Sequence, residues 1–275
     1  MDDSALKQIG NLTNLHKLFF WDTSITDDGM VHLARLINLQ NLYMRKNSRI
    51  TDVSMIGQLT NLEYLDINNP TAVKGFNQLK NLHKLKILTI ESTPLDDKNM
   101  EFLADLSELT EINFEGTQIT GSGLVHLKSL KNLTKLNLKN TKVNQGIEYL
   151  KSLTNLKELD LEGTKISDSE MVHLQSLKNL EKLNLTGTKI SDSGMVHLQS
   201  LTNLKEIHLD GTNITSAGMK NLKNLTKPNW LTADVKMTKA ELSELQESLP
   251  KCDIIIMVPL TRDESTETPE SENKE

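Results

Sequence analysis

Leucine and isoleucine recur along this chain in a frame that carries two periods at once. Leu156, Leu159, Leu161 and Ile166 are spaced as Leu180, Leu183, Leu185 and Ile190 are. In the Leu-x-Leu core the alternation sends the leucines to one face of a short strand and the residues between them to the other. Apolar residues then fall at every third position, as at Met195, Leu198 and Leu201. That spacing predicts one face of a short helix, opened by Ser191 or Asp192 as its N-cap. Strand, turn, short helix and return make one coil, and coils that repeat this way bury their apolar faces only by stacking.

The frame LxxLxLxxTxI repeats through most of the chain. Its threonine column reads Thr23, Asn47, Pro70, Thr93, Thr117, Thr141, Thr164, Thr188 and Thr212, which counts nine repeats at steps of 23 or 24 residues. At the N-terminal end Leu6, Ile9 and Leu12 match the helix positions Met30, Leu33 and Leu36. The chain therefore opens half-way through a coil, without an amphipathic cap before it. At the other end Pro228, Trp230 and Leu231 break the frame. There Thr238 to Leu249 reads as a capping helix stopped by Pro250, and Ile254 to Ile256 as a last strand. The expected division is a partial first coil at 1–14, nine repeats at 15–222, a capping unit at 223–258 and a disordered acidic tail at 259–275.

These residues resemble the leucine-rich-repeat superfamily, over roughly Leu6 to Leu222. The unit Thr188-Lys189-Ile190-Ser191-Asp192-Ser193-Gly194-Met195 is most similar to bacterial members. The resemblance implies an α/β fold: a right-handed solenoid or horseshoe with a parallel sheet on the concave face and short helices on the convex face. It also implies that Asn47 hydrogen-bonds turn backbone in adjacent coils, with threonine hydroxyls doing so elsewhere in the column. Pro70 can supply no such bond, so the third coil should depart from the pattern at its turn. Such a solenoid is expected to hold a curved, non-catalytic surface against a partner.

Composition supports repetition over a conventional globule. Apolar residues make up 37% and aromatic residues 4% of 275 positions; such a chain lacks the large side chains of a compact core, but leucine alone can fill stacked layers. The formal charge is −6, and the 259–275 segment, with Arg262 and Lys274 against six carboxylates, holds about −4 of it. No basic stripe is left to suit a nucleic acid. The single Cys252 forms no disulfide framework, and the opening Met1-Asp2-Asp3-Ser4 lacks the basic and apolar regions of a secretory leader. Read as given, the chain points to the cytoplasm, with a secreted or surface location open for a fragment or a chain exported without such a leader. No membrane insertion and a monomer are expected.

Stacked strands turn sequence into a surface map, because equivalent outward residues form columns about 5 Å per step. The first column is Lys17, Asn41, Tyr64, Ile87, Glu111, Lys135, Glu158, Lys182 and Glu206. Its charges alternate from the fifth coil on, which reads chiefly as a ladder that pins register. The middle column is Phe19, Tyr43, Asp66, Thr89, Asn113, Asn137, Asp160, Asn184 and His208. The third is Trp21, Arg45, Asn68, Glu91, Glu115, Lys139, Glu162, Thr186 and Asp210.

Phe19, Trp21, Tyr43, Arg45 and Tyr64 therefore converge on the concave face of the first three coils. Outward aromatics serve no core, and Trp, Tyr and Arg bury rigid area while offering a polar tip, as interface anchors do. The alternative is a cluster packed beneath a flank. The acidic residues Glu91, Glu115, Asp160, Glu162 and Asp210 are candidates to steer a partner with basic groups.

The remaining chemistry is thin. His32, His126, His173 and His197 share a helix position but are spaced too widely for metal ligation. Asp27, Asp28, Asp96 and Asp97 sit at helix starts, where carboxylates suit the positive end of the dipole. The sequons at Asn132, Asn184 and Asn213 follow from the repeat itself. There is no phosphate loop, nucleophile elbow or zinc-protease motif. The expectation is a non-catalytic module with no cofactor, binding a protein or peptide of unspecified identity. The rivals are the recognition part of a longer effector, ubiquitin-ligase receptor or other enzyme, and a structural surface protein.

Overall fold

The structure is a computed structural model that describes residues 1–72 and 74–258. The expected acidic tail lies outside the described residues. Among the described residues eleven strands form one parallel sheet in strict chain order, β1 beside β2 through to β11. They are β1 (Lys17–Trp21), β2 (Asn41–Arg45), β3 (Tyr64–Asn68), β4 (Ile87–Ile90), β5 (Glu111–Asn113), β6 (Lys135–Asn137), β7 (Glu158–Asp160), β8 (Lys182–Asn184), β9 (Glu206–His208), β10 (Trp230–Ala233) and β11 (Asp253–Ile256). Lys17 pairs with Asn41, Asn41 with Tyr64 and Lys182 with Glu206, so the outward columns stand in the register that the leucine frame dictates. The frame leucines Leu159, Leu161, Leu183 and Leu185 are buried, in one continuous core that runs the length of the stack.

The outer side of each coil is mostly a 3-10 turn. Short α-helices appear at α1 (Asp3–Ile9), α2 (Asp27–Met30), α3 (Asp168–Leu174), α4 (Asp192–Met195) and α5 (Ser216–Met219). The three-residue spacing of the apolar positions matches the three residues per turn of a 3-10 helix, so the tighter turn suits the pattern. Ser191 is the N-cap of α4, and its side chain accepts from the Ser193 N–H.

Asp192 has a different partner: its carboxylate accepts from the backbone N–H of Thr215 at 2.8 Å and from the Thr215 hydroxyl at 2.6 Å, one coil on. Asp3 with Thr26, Asp27 with Thr51, Asp97 with Thr120 and Asp168 with Ser191 repeat the arrangement. This staple explains the glycine of the Asp-x-Gly-Met motif. A Cβ on Gly29, Gly123, Gly194 or Gly218 would lie 2.1 to 2.6 Å from the stapling carboxylate of the coil before. The equivalent positions Asn99 and Glu170 follow coils that lack that aspartate, at Lys74 and Gln145, and both carry side chains.

A second internal ladder runs through the threonine column. Asn47 donates to the Phe20 carbonyl of the first coil and to the Arg45 carbonyl, while its Oδ1 accepts from the Thr23 N–H and hydroxyl. That is the inter-coil role the family resemblance implied. The later threonines differ: Thr117, Thr141, Thr164, Thr188 and Thr212 donate to the carbonyl three residues back in their own coil, at 2.6 to 2.7 Å. Thr93 keeps the expected inter-coil bond, donating to the Ile67 carbonyl of the preceding coil at 3.2 Å.

The third coil departs as expected, but through Asn69. Pro70 is exposed, and Asn69 takes the fully buried place one residue earlier. It donates to the Ile50 carbonyl at 2.9 Å, and its N–H donates to the Thr93 hydroxyl at 3.1 Å. In the other coils the residue before the column is left-handed, as at Lys46, Asn140 and Gly163.

The frame also persists where the sequence seemed to break it. Trp230, Leu231 and Thr232 pair with Glu206, Ile207 and His208, so β10 adds to the ladder despite Pro228. The terminal helix α6 (Lys239–Ser248) opens with a capping box in which the Thr238 hydroxyl and the Glu241 carboxylate serve each other's N–H. Beyond it β11 closes the described sheet.

Candidate partner-binding face

Strand length is where the first three coils part from the rest. β1, β2 and β3 each span five residues, β5 to β9 only three. In coils five to eight the middle-column residue is Asn or Asp, and its side chain accepts the N–H two residues on: Asn113 from Glu115, Asn137 from Lys139, Asp160 from Glu162 and Asn184 from Thr186, at 2.8 to 3.0 Å. That local turn ends the strand. Phe19 and Tyr43 cannot make it, and Asp66 is engaged elsewhere, so the longer strands present a wider plate.

All five expected anchors stand together on that plate, around one open depression that Asp66 also lines. Phe19 and Trp21 are 58% and 55% exposed. The Phe19 and Tyr43 rings lie 5.9 Å apart and tilted; Tyr43 and Tyr64 stack at 4.5 Å. Two lysines sit on the rings: Lys17 Nζ is 5.0 Å from the centre of Tyr43, and Lys46 Nζ is 5.4 Å from that of Trp21. Such placements are attractive because a cation meets the negative face of the ring.

Arg45 is held from beneath. Its Nε donates to Asp66 Oδ2 at 2.8 Å and its Nη2 stands 2.6 Å from the same oxygen. Asp66 is 1% exposed, and its Oδ1 is buried without a partner. Burial raises the Asp66 carboxyl above its usual range despite the opposing pull of Arg45, while the bond to Asp66 raises Arg45 further. Burial also raises the Tyr64 phenol. The chemistry is that of a rigid aromatic platform with a guanidinium fixed at its centre. Asp66, Lys17 and Lys46 were not singled out in the sequence; the columns already placed Asp66 beside Tyr43 and two residues from Tyr64 on the same strand, which was the available signal.

The expected acidic residues are dispersed along the later coils. Glu115 and Glu162 flank Lys139 at 4.0 and 3.1 Å. Glu162 and Asp160 both accept from the Asn184 amide. Asp210 accepts from the Thr232 hydroxyl and leaves a buried Oδ1 without a partner, while Glu91 is half-buried. The first-column ladder resolves into the pairs Lys135 with Glu158 and Lys182 with Glu206, at 3.2 and 2.7 Å.

Models of leucine-rich repeats match residues 37–76, 154–198 and 200–223. The chain is a leucine-rich-repeat protein. An internalin from Listeria monocytogenes has a similar structure, with a TM-score of 0.79 at 25% identity over 92% of this chain and 70% of that one. Internalin C2 from the same organism gives 0.56 at 26% over 84% and 91%. A leucine-rich-repeat protein of Leptospira interrogans gives 0.61 at 20% over 90% and 80%, a likeness of fold. No curated protein matches the sequence.

Leucine-rich-repeat folds serve generally as interaction modules rather than enzymes. Among the described residues of this one, no group of three or more His, Cys, Asp or Glu is placed to hold a metal ion. Of the shared-position histidines, His197 Nδ1 lies 2.8 Å from the Gln175 amide of the preceding coil. No helix among the described residues is long and apolar enough to cross a membrane.

Proposed function

We propose that this leucine-rich-repeat protein is a non-catalytic interaction module whose concave face receives a protein or peptide, anchored by Phe19, Trp21, Tyr43, Arg45 and Tyr64. The observation that carries the reading is the exposure of two large aromatics beside a guanidinium that Asp66 holds in place. Preorganised anchors lose little freedom on binding, and residues of these types dominate interface energies. Glu91, Glu115, Asp160, Glu162 and Asp210 complete the face as an acidic stretch beyond the anchors, suited to basic groups on the same partner. Similarity to two internalins supports a protein partner over a small molecule.

The test is quantitative capture of partners from a lysate by the intact chain and by a variant with the five anchors replaced by alanine, with circular dichroism showing that both fold. Anchors of this kind each contribute on the order of 2 kcal/mol, so the variant should lose its specific partner. Equal capture by both would overturn the assignment.

A further inference from the structure

The concave face has two electrically different halves, and the difference lies in how its cations are held. In the later coils Lys135, Lys139 and Lys182 are all paired with glutamates of neighbouring coils. Lys17 and Lys46 have no salt bridge among the described residues; both are exposed and lie over aromatic rings. A lysine on a ring keeps its charge unneutralised and keeps N–H groups free for an anion. Arg45 adds a third cation, with only Nε and Nη2 engaged by Asp66.

The outward columns show the same asymmetry as a count. Coils one to three carry Lys17 and Arg45 against Asp66; coils four to nine carry three lysines against eight carboxylates. Both ends are fixed on one rigid sheet, so the face holds a permanent charge gradient along the solenoid axis. A partner that lies across the strands meets cations at the aromatic end and carboxylates beyond.

We infer that the partner segment is itself polar in charge, with an acidic end seated on Lys17, Arg45 and Lys46 among the aromatic rings and a basic end facing coils four to nine. The inference rests on the proposed concave-face binding and adds to it the orientation of the ligand. Eight strand steps of about 4.8 Å span roughly 38 Å, which an extended segment of about twelve residues covers. Complementary charge of this kind fixes register and direction and rejects reversed ligands, because the reversed pairing sets like charges opposite one another.

The probe is a synthetic peptide of about twelve residues with an Asp/Glu half and a Lys/Arg half, made with a nitroxide quencher at the acidic end or at the basic end. A Trp230→Phe variant of the full chain leaves Trp21 as the reporter, since the sequence has two tryptophans. The acidic-end label should quench Trp21 several-fold more than the basic-end label. Exchanging Lys17 and Lys46 for glutamate should weaken binding about ten-fold, and a peptide of the same composition with mixed charges should bind more weakly.

Equal quenching by the two labels, stronger quenching from the basic end, or no binding would each overturn the polarity. Failure of the underlying reading is seen separately: there the alanine variant of the five anchors captures natural partners as well as the intact chain does, whatever the peptide shows.

Discussion

Glycine in the Asp-x-Gly-Met motif is there for the carboxylate of the preceding coil more than for backbone freedom. An alanine methyl at Gly194 would sit 2.5 Å from Asp168 Oδ1 and 2.9 Å from the Ile190 side chain. Gly194→Ala should therefore destabilise by about 1 to 3 kcal/mol, although alanine favours helices. Pairing it with Asp168→Ala should give strongly non-additive losses in urea denaturation, while additive losses would contradict the staple.

One of these carboxylates, Asp27, makes its junction acid-sensitive. Burial alone would raise the pKa of Asp27, but bonds from the Thr51 hydroxyl and the Thr51 and Asp52 N–H groups leave it below its usual value. A folded pKa below the unfolded one gives stability that is complete above the unfolded pKa and is lost as pH falls through the folded value. Stability measured from about pH 5 down to pH 2 should fall less steeply in Asp27→Asn than in the parent.

At the level of the element, two side-chain choices set each strand and turn. A middle-column Asn or Asp folds back on its own backbone and stops the strand after three residues, while Phe19 and Tyr43 let it run to five. In the threonine column Asn47 joins two coils where Thr188 serves only its own. Asn47→Ala leaves buried carbonyl and N–H groups unserved in two coils and should cost about 2 to 3 kcal/mol, against about 1 kcal/mol for Thr188→Val. Chemical denaturation of the two variants compares them directly, and equal losses would contradict the division. At the far end, Thr238→Ala removes half of the α6 capping box and should cost about 1 kcal/mol.

The sheet register was legible from the leucine frame because a slip of one residue would turn every leucine outward. The third coil was less so: the frame aligned Pro70, and only the three-dimensional turn brings Asn69 inward. Helix type was also obscured, since a three-residue apolar spacing over few residues serves α and 3-10 turns alike. Columns brought the five anchors together, but Lys46 lies outside the columns on a left-handed turn residue, and its meeting with Trp21 depends on side-chain direction that a strand pattern does not encode.

Across the whole molecule, stacking has a functional consequence. Each coil contacts its neighbours in sequence, so the face is rigid along its length while each outward position can vary without disturbing the leucines. The chain uses that freedom unevenly, with exposed aromatics and ring-seated cations in the first coils and ion-paired lysines among an excess of carboxylates in the later ones. Exposed pairs such as Lys135 with Glu158 contribute about 0.2 to 1 kcal/mol each, so they tune the face more than they hold the fold.

Side-chain footprinting by hydroxyl radicals, with and without the captured partner, tests the central claim most directly. Binding on the concave face predicts that Phe19, Trp21, Tyr43 and Tyr64 lose most of their reactivity while Val31 and Val196, exposed on the outer turns, keep theirs. Unchanged reactivity at the four rings, with protection on the convex turns instead, would contradict the account.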